Sequence, residues 1–330
     1  MWKKNSVSKD HWGYIFIAPF VIIFIGFVFY PIANTFYLAF TDARLISPGW
    51  RGDFVGIDNF RMLANSTMFR RAVTNTWFLW LGNFIPQMIL ALTLAAMFSS
   101  TTFKLRGAGF FKAIYYLPNL MMPVTIAALF SFFMSMHGPF NQFLVGTTGI
   151  LSEPRNFMIH VRDIRVAVMF IQTWLWFGQT AIVLVAGMMS ISPDYYESAM
   201  IDGANQVKMF FFITLPLVKP IMLFVLITSL VGGLQMFDIP LLLTGTIGGQ
   251  GNAALTINMF MNAQRTFPAG MLGYAAAVSV VLFFMSSVVA LILFRLFRGS
   301  SEAREARKGA RRLARLQAQE KNLAAGGKTT

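Results

Sequence analysis

The stretch Glu197–Pro220 reads ESAMIDGANQVKMFFFITLPLVKP, and its reading decides the fold. Acidic residues, a glycine, a helical run and a Leu-Pro pair sit together there, between two long apolar segments. Just upstream, Ser192, Pro193 and Asp194 supply helix-start chemistry: a capping side chain, a fixed φ and an acid in the first turn. The pattern predicts a short helix from about Tyr195 to Met200. Gly203 then permits a turn or a close backbone approach that a Cβ would block. A second helix is predicted from about Gln206 to Pro216, where the missing N–H and the restricted preceding residue disrupt the ladder. The expectation is a compact helix-turn-helix held at a membrane face.

Glu197, Ala199, Asp202, Gly203 and Ala204 are followed by Phe210, Ile213, Leu215, Pro216 and Pro220. That spacing resembles the cytoplasmic "EAA" loop in permease subunits of bacterial ATP-binding-cassette importers; only Ser198, where the family usually has Ala, departs from it. The resemblance implies that residues 190–217 form the coupling loop, which docks in a groove of the ATPase subunit. It also implies that Glu197 and Asp202 are polar contacts of this element, Gly203 its turn and Pro216 the start of the next helix. The bland alternative is an ordinary loop between two membrane helices.

Composition places the rest of the chain in a bilayer. Of 330 residues, 56% are hydrophobic and 12% charged, against roughly 25% charged in a soluble domain. With no Cys, disulfides, thiolate metal sites and thiol catalysis are excluded. His11, His137 and His160 are scattered, without a helically spaced partner for a metal. The net charge of +14 is not a nucleic-acid signature, because ten of the 27 Lys and Arg lie from Arg295 onward, at the end of the last apolar segment.

Crossing about 30 Å of hydrocarbon takes about 20 helical residues. Six spans meet that length: about 14–40, 72–98, 113–136, 166–189, 221–244 and 269–296. The first follows Lys3, Lys4 and Lys9 and is longer than a cleaved leader, so it reads as a retained helix. Residues 41–71 are too polar to span and carry one amphipathic helix from Asp58. Pro118 and Pro123 interrupt the third span and are tolerated where neighbours satisfy the freed carbonyls. Residues 299–330 form a basic tail, read as a positive face on anionic lipid. The transmembrane domain is therefore 1–298.

Orientation is less direct. With both termini inside, inner segments hold 18 Lys and Arg and outer ones nine; without the tail the ratio is eight to nine, which decides nothing. The loop with Lys104, Arg106 and Lys112 has no acid and reads as cytoplasmic. The resemblance also requires the Glu197 loop inside. Both termini are expected in the cytoplasm of a bacterial cell.

No catalytic machine is legible. The final GGKTT has Asn322 where a phosphate-cradling loop needs its first glycine, and it follows no strand. A secondary transporter usually carries ionisable residues at mid-membrane. Apart from Arg295 at the very end of the sixth, the six spans hold no Lys, Arg or Glu, and only Asp238 is embedded. Energy must then arrive from outside, at the Glu197 loop.

The resemblance runs from about Tyr14 to Arg298. It extends through QTWLWFGQTAIVLVAGM in the fourth span, GLQMFDIPLLLTG in the fifth and MLGYAAAVSVVLF in the sixth. Together these are similar to the carbohydrate-uptake branch, and to the maltose-type first permease subunit. What it implies is an all-α, six-helix permease of the type I importer fold. Its partners would be a second permease subunit in a heterodimer, two ATPase subunits that bind ATP and Mg, and an extracytoplasmic solute-binding protein. No cofactor is expected in the chain itself.

Sugar sites pair aromatic ring faces with amides and carboxylates that match hydroxyls. Gln172, Trp176 and Gln179 are spaced i, i+4, i+7 on one helical face of the fourth span. Gln235, Phe237 and Asp238 follow the Gly232–Gly233 pair in the fifth. In maltose-type permeases the corresponding stretches line the mid-membrane site, although Trp176 and Met236 depart from the maltose pattern. Amides and aromatics at helical spacing also serve plain helix packing. The expected function is the translocation pathway for a sugar or oligosaccharide. The alternatives are the same importer carrying an amino acid, peptide or polyol phosphate, or a secondary transporter.

Overall fold

The computed structural model describes residues 10–46, 52–99, 107–245, 248–266 and 270–296. The basic tail and the Lys104–Arg106 part of the early loop lie outside the described residues. Among the described residues the protein is helical, with two isolated β-bridges, Thr41 to Phe54 and Arg44 to Met271.

Helix α1 (Asp10–Phe24), a π-helical turn (Ile25–Phe29) and α2 (Tyr30–Leu38) follow one another as a single apolar run. Then come α3 (Asp58–Asn65) and the long α4 (Thr67–Ser99). Next are α5 (Ala108–Leu120), α6 (Pro123–Phe133), a short α7 (Pro139–Asn141) and α8 (Val161–Met189). Helices α9 (Asp194–Ile201) and α10 (Gln206–Met209) lead through another π turn (Phe210–Thr214) into α11 (Leu215–Leu234). The chain continues with α12 (Asp238–Thr244), α13 (Ile257–Arg265) and α14 (Leu272–Leu296). Among the described residues five runs are long and apolar enough to cross a membrane, or six if the bent α5–α6 pair is one span.

Two expectations need correction. The third span, 113–136, is not one helix: α5 and α6 meet at 93°. Pro123 forces Met122 out of the helical region, to ψ 136°, and Met121 is extended as well. Nor does Pro216 end the helix begun at Gln206. The chain widens to a π turn over Phe210–Thr214, where the Leu215 N–H donates to the Phe210 carbonyl, and it stays helical into α11. Pro31 is handled identically: the Tyr30 N–H donates to the Ile25 carbonyl at the end of the first π turn. Wider pairing just ahead of each proline absorbs the missing N–H and moves the clashing carbonyl aside.

The chain forms two compact units. One comprises, among the described residues, 10–46, 52–81, 122–171, 233–245, 248–266 and 270–284. Its core includes Ala39, Ala276, Ala277 and Val280, with Phe36 edge-on to Phe283 and Phe284 at 5.8 and 6.0 Å. Close approach here depends on Gly273, whose Cβ would overlap the Thr41 carbonyl. Asn59 of α3 donates to the carbonyls of Ala39 (3.0 Å) and Thr41 (2.8 Å), fastening the chain that leaves α2. Helix α12 packs on α6.

The other unit comprises, among the described residues, 82–99, 107–121, 172–232 and 285–296. Ala91, Ala95, Ala181, Leu184, Val185, Met188, Val218 and Val225 form its core. Gln87 donates to the Thr180 hydroxyl (2.8 Å) and Thr173 to the Asn83 carbonyl (3.1 Å), tying α4 to α8 with buried polar bonds. Gly178 lies against the Tyr115 carbonyl so closely that any Cβ would overlap it.

Candidate functional site

The Glu197 element is built from backbone upward. Tyr196 and Glu197 N–H groups donate to the Pro193 carbonyl at 2.9 and 3.0 Å, and the Ser192 hydroxyl accepts from Asp194 N–H at 3.4 Å. At the other end of α9, Ala204 N–H donates to the Ala199 carbonyl (2.9 Å) and Gly203 N–H to Met200 (3.0 Å). This crossed pair is a Schellman motif, and it requires a left-handed residue at Gly203, whose φ is +75°. Space around Gly203 is open. Its role is therefore the turn; no neighbour approaches closely enough to need the missing Cβ. The Asn205 side chain then caps α10, accepting from Lys208 N–H at 2.8 Å.

Glu197 and Asp202 are both exposed. Ile201, Tyr195 and Val207 are exposed beside them, Ile201 at 88%. Acids and bare aliphatics are thus exposed together on one short element, a surface of mixed character. Phe210, by contrast, packs against the Ala91–Val225 core and anchors the element from within, while Pro216 is half-buried in the first turn of α11. The exposure of Tyr195, Ile201 and Val207 was not read from the sequence, where Glu197 and Asp202 carry the notice.

The three α8 residues on one face differ in state. Gln172 is 8% exposed and accepts from the Trp176 indole N–H at 3.2 Å. Trp176 is 46% exposed, so its ring presents a free face. The Gln179 Oε1 is buried and accepts no hydrogen bond among the described residues. A buried acceptor without a donor costs about 1–3 kcal/mol unless something supplies one.

In the other unit, the fifth run breaks at Gln235–Phe237, before α12. Asn258 donates to the Gln235 carbonyl (2.8 Å) and Thr256 to the Met236 carbonyl (2.7 Å), replacing the lost ladder bonds. Gln235 and Asp238 are exposed at this break and Phe237 is half-buried. Gly233 has a firm structural reason: its Cβ would fall inside the Trp80 indole, while Gly232 has nothing near it. Irregular backbone in a membrane protein is tolerated where its polar groups are satisfied, and here the side chains of Thr256 and Asn258 satisfy two of its carbonyls.

One cluster escaped the sequence reading. Arg165 donates to Asn75 Oδ1 (2.7 Å) and the Ala253 carbonyl (3.1 Å), and its guanidinium lies 5.1 Å from the Phe78 ring centre. Asn75 in turn donates to the carbonyls of Asn252 (2.7 Å) and Leu255 (3.3 Å). Residues so distant in sequence leave no local signal of their meeting. Among the described residues no group of acids and histidines could hold a metal.

Residues 62–298 match the family described as binding-protein-dependent transport system inner membrane component. The chain belongs to that family. Related proteins extend the likeness over nearly the whole permease. The lactose transport system permease protein LacF of Rhizobium radiobacter is 32% identical, over 88% of this chain and 96% of that one. The arabinooligosaccharides transport system permease protein AraP of Bacillus subtilis is 31% identical, over 89% and 91%. Among solved structures, a bacterial transporter that imports the acidic polysaccharide alginate superposes with TM-score 0.73 at 26% identity, over 88% of this permease and 96% of that chain. The same kind of transporter has been solved with an alginate pentasaccharide-bound periplasmic protein, and matches with TM-score 0.69. The fold is that of an importer permease, and the permease is a multi-pass inner membrane component.

Proposed function

We propose that this permease forms the translocation pathway for a sugar or oligosaccharide, moved by alternating access and driven by ATP hydrolysis on partner subunits. The observation that carries the reading is the α9–α10 element: a closed helix-turn-helix with exposed acids and aliphatics, anchored by Phe210 in the core of its unit. The likeness to lactose and arabinooligosaccharide permeases supports a saccharide cargo. A second permease subunit would complete the pathway. Two ATPase subunits would take ATP and Mg and grip α9–α10 from the cytoplasm, with both termini on that side. A solute-binding protein would deliver substrate outside, a reading supported by the alginate transporter's structure in complex with a pentasaccharide-bound periplasmic protein.

On this reading Gln172, Trp176 and Gln179 offer a ring face and amide groups to a sugar. Gln235, Phe237 and Asp238 offer the same chemistry at the break in the fifth run. The test is ATPase activity of the reconstituted complex across a solute panel. Stimulation by one saccharide class supports the assignment. Stimulation only by amino acids or peptides keeps the importer and overturns the cargo.

A further inference from the structure

A cavity of about 540 Å³ opens at the start of α8, within a single compact unit. Its polar end is formed by Arg155, Arg162 and Asp163. The Asp163 carboxylate, 16% exposed, is ion-paired with Arg155 at 2.8 Å, while Arg162 is exposed and free of any ion pair among the described residues. Two guanidinium groups against one carboxylate leave this end with an excess positive charge. The remainder is hydrocarbon: Val166 and Phe170 from α8, with Phe140 and Phe157 from the segment before it.

The arrangement along α8 identifies the ligand class. Residues 162, 163, 166, 167 and 170 share one helical face. Along that face the lining passes from charged at Arg162 and Asp163 to apolar at Val166 and Phe170 within two turns. Val166 and Phe170 are each about half exposed, so the apolar end is open. A saccharide site requires neutral hydrogen-bonding groups to match hydroxyls, and the lining has no Asn, Gln, Ser, Thr, Tyr or Trp. Charge at one end and bare hydrocarbon at the other match an amphiphile.

We propose that this cavity binds an anionic phospholipid of the surrounding bilayer. The headgroup phosphate takes the free guanidinium of Arg162 and the outer edge of Arg155, as guanidinium geometry favours. An acyl chain lies over Val166 and Phe170. Asp163 holds Arg155 in place and opposes a second anion. The site is independent of the cargo the permease carries, so its failure would leave the sugar assignment standing.

The experiment is native mass spectrometry of the full chain, purified in detergent with its copurifying subunits. Phosphatidylglycerol and phosphatidylcholine are added at equal concentration. The unmodified permease is expected to retain phosphatidylglycerol about fivefold over phosphatidylcholine. Arg162→Ala brings that ratio near one, and Arg162→Lys keeps most of it. Val166→Trp, which fills the apolar end and leaves both arginines, reduces retention of both lipids. Glycerol phosphate, the head without chains, fails to displace the bound lipid. An unchanged ratio in Arg162→Ala together with unchanged retention in Val166→Trp overturns the proposal. So does displacement by glycerol phosphate, which makes this a plain anion site, or by a neutral oligosaccharide, which makes it a sugar subsite.

Discussion

The Tyr196 hydroxyl lies 2.9 Å from Thr214 Oγ1, joining α9 to the π turn that opens α11. Thr214 is buried and its hydroxyl also reaches the Met209 carbonyl at 3.4 Å, so it accepts from tyrosine while donating to backbone. Together with the packing of Phe210, this bond ties α9 to the base of the fifth helical run. On the proposed function, a push on α9 would pass through this bond to the start of α11.

Tyr196→Phe removes that bond and keeps the ring. A neutral hydrogen bond contributes about 1 kcal/mol, equivalent to about fivefold. Substrate stimulation of ATPase should fall about two- to fivefold with basal hydrolysis retained. Thr214→Val should do the same, and the double variant should be no worse than either single one, since the two groups act as a pair. Additive losses would show that they do not.

Gly203→Asp should uncouple transport while the subunit stays in the membrane. Space at Gly203 is open, so bulk is not the obstacle. A Cβ in the left-handed region costs about 1–2 kcal/mol, and the new carboxylate sits next to Asp202 on the docking surface. Gly203→Asn, which tolerates this conformation, should retain most uptake, with Gly203→Ala between the two. Undiminished uptake by Gly203→Asp counts against the coupling role.

Gln172→Ala combined with Trp176→Ala should weaken substrate-dependent transport without dissociating the complex. Gln179→Ala removes a buried acceptor that lacks a donor, so it should leave thermal stability unchanged or raised and still weaken substrate stimulation. Unaltered kinetics in both variants would remove α8 from the substrate pathway.

Gly233→Ala should destabilise the permease by about 1–3 kcal/mol, the usual cost of overpacking, because the methyl group meets the Trp80 indole. Trp80→Leu in the same chain should restore part of the loss. The melting midpoint in detergent reads both, and absence of rescue would place the strain elsewhere.

Much of this was legible in the sequence because membrane helices declare themselves by length and the α9–α10 turn by its spacing. Gly203 and Ala204 are a local motif, and the Schellman bonds follow from them. Pro216 misled because a missing N–H is local information, whereas relief by a π turn depends on the whole run Phe210–Thr214. Pro118 and Pro123 were visible, but the 93° bend between α5 and α6 was not, since two prolines give no direction. Arg165 with Asn75, and Gly233 with Trp80, are pairings across long stretches of chain, which no single-sequence periodicity encodes.

The central claim is that ATPase force enters at α9–α10, and Ile201 tests it most directly. The chain has no cysteine, so Ile201→Cys carries the sole thiol of the permease and takes a single photoreactive label. Illumination of the assembled importer should cross-link that position to an ATPase subunit, in a yield that changes when ATP is bound. A label at Ile201 that never reaches an ATPase subunit, in an importer that still transports, would contradict the account.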